Sequence, residues 1–121
     1  MLILLALLAA PLGQPSPLTV AGDLPAELVA VEPATIDPVA IRFDADGRLW
    51  VVEMRDYPTG PADGSPPRGR VVVLHDDDSD GRYDRPVVFA DNLLMPTGVQ
   101  PLRYGDRDSA WLFELPLVHL E

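Results

Sequence analysis

The sequence contains no cysteine, which excludes a disulfide-stabilised fold and any metal site built on thiolates. Basic residues are also scarce, since nine Lys and Arg stand against nineteen Asp and Glu, giving a formal net charge of -10. This balance argues against nucleic acid and anionic membranes as partners, because both are themselves negatively charged. Hydrophobic residues nevertheless make up 47% of the chain, which is the composition of a folded protein and not of a disordered acidic tail.

No apolar run is long enough to span a bilayer, which requires about 20 consecutive residues. The run from Leu2 to Ala10 is typical of the hydrophobic part of a secretory signal, although no Lys or Arg precedes it. We therefore expect residues 1–22 to be a signal peptide and the protein to be exported, to the periplasm or cell envelope, with no membrane span. The alternative interpretation is a short buried strand or helix.

Helical periodicity is missing too, because 14 prolines are spread through the sequence. Residues 23–36 are expected to form an extended lead-in, with one edge strand at 27–31. Residues 37–121 are predicted to form an all-β domain. Its strands are expected at 40–43, 49–54, 70–74, 86–90 and within 109–120, where short apolar or alternating segments are bounded by turn residues.

Turn chemistry supports this division of the chain. Asp46-Gly47 supplies the positive φ that a tight hairpin requires, so a hairpin turn is predicted between 40–43 and 49–54. The segment 55–69 is rich in proline and glycine and is predicted to be a long loop. Residues 91–99 are expected to be a turn and connection.

The segment HDDDSDGRYD, residues 75–84, places aspartates at alternate positions and then a glycine, which is the spacing of calcium loops. Calcium prefers oxygen ligands, and carboxylates at alternate positions can turn inward together on a tight loop. Val87 stands where a helix-loop-helix site has its bidentate glutamate, so we predict a calcium loop between two strands instead. The alternative is a solvated acidic turn. The expected ligands, with Arg82 acting through its backbone carbonyl, are Asp76, Asp78, Asp80, Arg82 and Asp84.

A faint internal repeat is present, because the strings around Leu74 and Leu120 are similar and lie about 46 residues apart. This spacing is typical of propeller blades, and the order of strands and turns favours a toroid of four-stranded blades. The residues after the predicted signal supply only about two blades, whereas propellers have about four or more. We therefore expect the first one to two blades of an incomplete β-propeller, truncated at its C-terminus.

Two segments, FDADGRLWVVEMRDYP and GRVVVLHDDDSDGRYDRPVVFADNLLMPTGV, resemble the N-terminal blades of membrane-bound dehydrogenases of the planctomycete type. That family is similar to the soluble glucose and sorbosone dehydrogenases. The resemblance covers residues 37–99, and the sequence after 99 departs from the family pattern. It implies a six-bladed propeller, secretion, and oxidation of a sugar or alcohol with pyrroloquinoline quinone as cofactor. The remaining blades would then be partners of this segment.

Arg55 and Tyr57 are the candidate cofactor-binding residues, because they lie where a strand is predicted to enter a long loop. An arginine fork can bind a carboxylate, and a tyrosine ring can stack on a flat molecule or donate a hydrogen bond. The alternative is an ion pair of Arg55 with Glu53 or Asp56, and a tyrosine packed under the loop. No catalytic residue is assigned, because neither His75 nor His119 matches a catalytic position of the family that the sequence resembles.

Three functions therefore remain open from the sequence. The first is the N-terminal part of an exported quinone-dependent dehydrogenase with a calcium loop, inactive as an isolated piece. The second is a calcium-stabilised propeller that binds carbohydrate or protein without catalysis. The third is an independent small β domain, whose exposed sheet edges would invite aggregation.

Overall fold

The computed structural model describes residues 26–114, Gly22, and the backbone of a short strand at 118–120. These residues form two antiparallel sheets and contain no helix, which confirms the all-β prediction. The first sheet has the order β1-β2-β3-β4 and the second has the order β5-β6-β7. The strands are β1 (Pro38–Phe43), β2 (Leu49–Glu53), β3 (Gly69–His75), β4 (Arg85–Leu93), β5 (Gly98–Tyr104), β6 (Arg107–Phe113) and β7 (Val118–Leu120).

The hairpin between β1 and β2 forms at the predicted turn. Gly47 has a φ of +78°, a conformation that glycine adopts without steric cost. The Gly47 N–H donates to the Asp44 carbonyl at 3.1 Å, and the Asp44 N–H donates to the Arg48 carbonyl at 3.1 Å. The turn thereby sets the register in which Phe43 pairs with Leu49.

The central strands β2 and β3 are buried on both faces, and both have largely apolar sequences. One face of the first sheet packs against the second sheet through a core of Trp50, Val52, Val71, Val73, Leu93, Val99, Ala110 and Leu112. The opposite face is covered by the lead-in, through Leu49, Val51, Val72 and Leu74 packed against Ala34, Val29, Ala30 and Tyr83. Burial of each large aliphatic side chain contributes about 1.5–3 kcal/mol, so these two layers supply most of the stabilisation.

The predicted edge strand at 27–31 is wrong, because residues 26–31 have no strand conformation. The lead-in lies across the face of the first sheet and contacts it mainly through side chains. A single backbone hydrogen bond, from the Tyr83 N–H to the Val29 carbonyl at 2.7 Å, joins it to the acidic loop. Its apolar residues thus cover a sheet face without extending the sheet.

The predicted connection at 91–99 is shorter in the structure. Strand β4 continues to Leu93 through irregular pairing with β3, and Asn92 adopts a φ of +54°. Strand β5 was not predicted, because its sequence contains Pro101 and polar residues. It lies at an edge of the second sheet, where a missing N–H is tolerated. The predicted signal peptide lies outside the described residues except for Gly22, and no helix among the described residues is long and apolar enough to cross a membrane.

Candidate functional site

The acidic loop, residues 76–84, connects β3 to β4 at one end of the first sheet. Asp76, Asp78 and Asp80 each offer a carboxylate oxygen, and these oxygens lie within 4.8 Å of one another. Asp78 and Asp80 are exposed and Asp76 is half-buried. Three carboxylates that converge in this way could hold a metal ion.

The loop arranges its own carboxylates through backbone hydrogen bonds. Asp76 accepts from the N–H groups of Asp80 at 3.1 Å and Gly81 at 3.0 Å, and Asp80 accepts from the Arg82 N–H at 2.7 Å. The reversal of the chain places Ser79 at a φ of +60° and Gly81 at +86°. These N–H groups offset part of the repulsion between the acids, and carboxylate lone pairs remain for a cation.

The other two predicted ligands lie further along the loop. Arg82 has an exposed side chain, so it could contribute to a metal site only through its backbone, as predicted. Asp84 is exposed and does not belong to the converging group of three. The structure therefore brings together the first three predicted ligands and leaves Asp84 apart from them.

Asp77 is turned to a different partner. It forms an ion pair with Arg85, whose Nη2 donates to Asp77 Oδ1 at 2.9 Å and whose Nε donates to Oδ2. The hydrogen bond from Arg85 holds the pKa of the exposed Asp77 carboxyl below its ordinary value. The alternation expected from the sequence is thus present, because the intervening acid is paired outside the converging group.

Tyr83 fastens the end of the acidic loop to two other parts of the chain. Its hydroxyl donates to the Gly47 carbonyl at 3.0 Å, and its backbone N–H donates to the Val29 carbonyl. Its ring meets that of Phe43 edge to face, with centroids 5.8 Å apart. The loop, the first hairpin and the lead-in are consequently held together by one residue, which sequence reasoning did not identify.

A second group of charges joins the two sheets and was also missed. We call it the inter-sheet clamp; it consists of Asp44, Arg48 and Asp108. Arg48 donates to both oxygens of Asp108, each at 2.7 Å, and its Nε donates to Asp44 at 2.7 Å. The Trp50 indole N–H also donates to Asp44, at 2.8 Å. This clamp orders the first hairpin against the β5-β6 hairpin.

The carboxylates of the clamp are stabilised in their charged form. Burial opposes ionisation of Asp44, but hydrogen bonds from Trp50 and from the N–H groups of Arg48 and Asp46 outweigh it, so its pKa lies below its ordinary value. The hydrogen bonds from Arg48 likewise lower the pKa of Asp108. The clamp is therefore fully charged at neutral pH.

Arg55 and Tyr57 lie in the predicted loop between β2 and β3, where they line one open cleft of about 510 Å³. Arg55 lies 3.6 Å from Glu53, measured from Nε to Oε2, so the ion pair considered as the alternative is present. Tyr57 is 73% exposed, which contradicts the alternative in which it packs under the loop. The two candidate residues are thus close together at an accessible surface.

Residues 14–106 match the family model described as "Domain of unknown function (DUF7133)", which covers more than half of the chain. None of the curated proteins and none of the solved structures compared matches the chain significantly.

Proposed function

We propose that this chain, which belongs to the DUF7133 family, is a propeller segment whose acidic loop binds calcium and is stabilised by it. The observation that carries the proposal is the convergence of Asp76, Asp78 and Asp80 within 4.8 Å at a connection between two strands. Calcium takes six to eight oxygen ligands. In the proposed site the Arg82 carbonyl, and Asp84 acting through a water, complete the coordination.

The chemistry of the donors favours calcium over other common metals. The converging group contains only carboxylates, and no cysteine exists in the chain to attract zinc or copper. Magnesium requires a near-ideal octahedron and usually keeps several waters, whereas a flexible loop of several carboxylates suits the larger ion. Calcium also offsets the repulsion among the acids more fully than the backbone N–H groups alone.

Thermal unfolding in calcium and in chelator tests this proposal. Calcium at ten times its Kd should add about 1.4 kcal/mol, since the stabilisation is RT ln(1 + [L]/Kd). For a domain of this size the Tm should rise by roughly 5–10 °C. Asp78→Asn should abolish the rise, whereas Asp106→Asn removes the same charge from an exposed turn outside the loop and should preserve it. Identical melting curves in calcium and in chelator would exclude the site.

Two features of the sheets support the propeller. Both sheets are antiparallel meanders that follow each other along the chain, and the first strand of the second sheet, β5, contacts β1 and β2. The third strands of the two sheets contain the two similar strings of the sequence: Val73 lies in β3 and His119 lies in β7. Val73 and His119 lie 46 positions apart (119 − 73), the same spacing as in the repeat noted in the sequence. Repeated sheets that stack head to tail generate a ring when the rotation closes.

The catalytic part of the proposal comes from the resemblance to quinone-dependent dehydrogenases. A bound quinone would supply the acceptor for the two electrons removed from a sugar or alcohol. Arg55 fits an anionic group of the quinone or a carboxylate of the substrate, because its Nε is buried and has no hydrogen-bond partner among the described residues. Tyr57 offers an exposed ring beside it.

A dye-linked assay of the whole protein, with quinone and calcium over a panel of sugars and alcohols, tests this activity. Turnover that requires added quinone would support the dehydrogenase. Glycan binding without turnover would favour the non-catalytic propeller, for which the exposed rings of Tyr57 and Tyr104 are suitable contacts.

A further inference from the structure

The cleft between β2 and β3 contains two arginines whose side chains have no hydrogen-bond acceptor among the described residues. We call it the loop cleft; its charged lining residues are Arg55, Asp56, Asp63 and Arg68. The chain as a whole carries a net charge of -10, so two arginines with unused hydrogen-bond donors in one cleft are an unusual local concentration of positive charge. Their partners within the described residues decide what the cleft can bind.

Arg55 lies beside a carboxylate that is already occupied. Glu53 is fully buried, and its Oε1 accepts from the Ile36 N–H at 2.9 Å while its Oε2 accepts from Arg70 at 2.5 Å. Arg55 reaches that same Oε2 only at 3.6 Å, which is beyond hydrogen-bond distance. Glu53 therefore holds Arg55 in place by charge without using its donors.

The guanidinium of Arg55 consequently makes no hydrogen bond with any described residue. Its side chain is only 19% exposed, and its Nε is buried without a partner. A guanidinium carries five N–H donors, and buried polar groups are nearly always paired. The arrangement calls for an acceptor that comes from outside the described residues.

The carboxylates of the loop cleft do not supply that acceptor. Asp56 is buried and accepts from the Arg68 N–H at 2.5 Å, which closes the loop on itself. Asp63 is exposed and forms no ion pair with either arginine in the described part of the chain. The exposed side chain of Arg68 likewise has no ion pair there, so it adds a second free cation at the rim of the cleft.

We propose that the loop cleft binds a small carboxylate-bearing sugar, with Arg55 and Arg68 on the carboxylate and Tyr57 against the ring. An arginine fork matches the two oxygens of a carboxylate, which gives short, charge-assisted hydrogen bonds. The tyrosine ring is apolar on its face and accessible, so it can pack on a sugar ring. This names an acidic sugar as the substrate class, and so rests on the proposed function.

Calorimetric titration of the whole protein with glucuronate, glucose and acetate tests the inference by binding alone. We expect saturable binding of glucuronate, at least ten-fold weaker binding of glucose, which lacks the carboxylate, and weaker binding of acetate, which lacks the ring. Arg55→Lys keeps the charge but loses the fork, and should weaken glucuronate binding at least ten-fold. Arg107→Lys, on the distant strand β6, is the matched control and should bind like the unchanged protein.

Thermal unfolding of Arg55→Lys accompanies the titration, so that lost binding is not confused with lost folding; Arg68→Gln, at an exposed position, provides a second variant. Equal binding of glucose and glucuronate, or unchanged glucuronate binding in both Arg55→Lys and Arg68→Gln, would overturn the inference. Because neither the calcium-induced rise in Tm nor turnover of other sugars enters this measurement, such a result would leave the proposed function standing. A failed calcium titration would equally leave the binding result intact.

Discussion

Replacement of Asp44 by alanine should destabilise the first hairpin and weaken the anchoring of Arg48 in the inter-sheet clamp. The Asp44 carboxylate accepts four hydrogen bonds: from the N–H groups of Asp46 and Arg48, from Arg48 Nε, and from the Trp50 indole. Its side chain is only 9% exposed. The substitution therefore removes one acceptor and leaves several donors to find new partners.

The cost depends on which of those donors can reach water. The Asp46 N–H is exposed and can bind water, and Arg48 retains both bonds to Asp108. The Trp50 residue is 1% exposed, so its indole N–H is left with no replacement. A buried donor without a partner costs about 1–3 kcal/mol, and the lost charge-assisted bond to Arg48 adds about 1 kcal/mol. We expect a total of about 2–4 kcal/mol, or a fall in Tm on the order of 15 °C.

Urea and thermal unfolding of the variant measure this effect. Asp46→Ala is the matched control, because Asp46 lies in the same turn but is half exposed and pairs with Arg103 at the surface. Exposed ion pairs contribute about 0–1 kcal/mol, so the control should change the Tm little. If Asp44→Ala were no more destabilising than Asp46→Ala, the hydrogen bonds to Asp44 would make no net contribution to stability.

The same residue makes a prediction about pH. Because the folded-state pKa of Asp44 is lower than the ordinary 3.8, the unfolded state binds its proton at higher pH than the folded state. The stability it contributes is present above pH 3.8 and is lost as the pH falls through the folded-state pKa. Asp44→Asn should therefore flatten the acid side of the stability profile, and an unchanged slope below about pH 4 would contradict this assignment.

Two further substitutions test the packing around the loops. Gly69→Ala should destabilise the fold by about 1–3 kcal/mol in urea unfolding, because its Cβ would lie 2.5 Å from the Leu93 carbonyl oxygen. The control Gly98→Ala should destabilise it less, because its Cβ would contact only the movable side chain of Phe113, at 3.2 Å. Equal losses of stability in the two variants would refute the argument. Tyr83→Phe should lose the hydrogen bond to the Gly47 carbonyl, which should lower the free energy of unfolding by about 0.5–1.5 kcal/mol in the same assay and weaken calcium binding. Unchanged stability and calcium affinity would show that this hydroxyl does not support the loop.

Local patterns in the sequence predicted the elements that depend on local chemistry. The turn at Asp46-Gly47 and the strand at 70–74 follow from backbone conformation and from a continuous apolar run, and both are present. The convergence of Asp76, Asp78 and Asp80 follows from their alternation around a sharp loop.

Contacts that depend on the stacking of the sheets left no such local signal. Arg48 and Asp108 are 60 residues apart, and nothing in either neighbourhood indicates the other. The lead-in was mistaken for a strand because its apolar residues fit a strand pattern, although they cover a sheet face instead. The unpaired donors of Arg55 could not be predicted either, because they depend on Arg70, which already donates to the Glu53 oxygen that Arg55 faces.

The core between the sheets has a practical consequence for anyone who shortens this chain. Its residues come from both sides of the connection at 94–97, with Trp50 and Val73 on one side and Val99 and Leu112 on the other. A truncation at that connection would remove one side of this core and expose Trp50 to solvent. Each half would then tend to self-associate, so any shortened form made for expression should keep β1 to β6 in one piece.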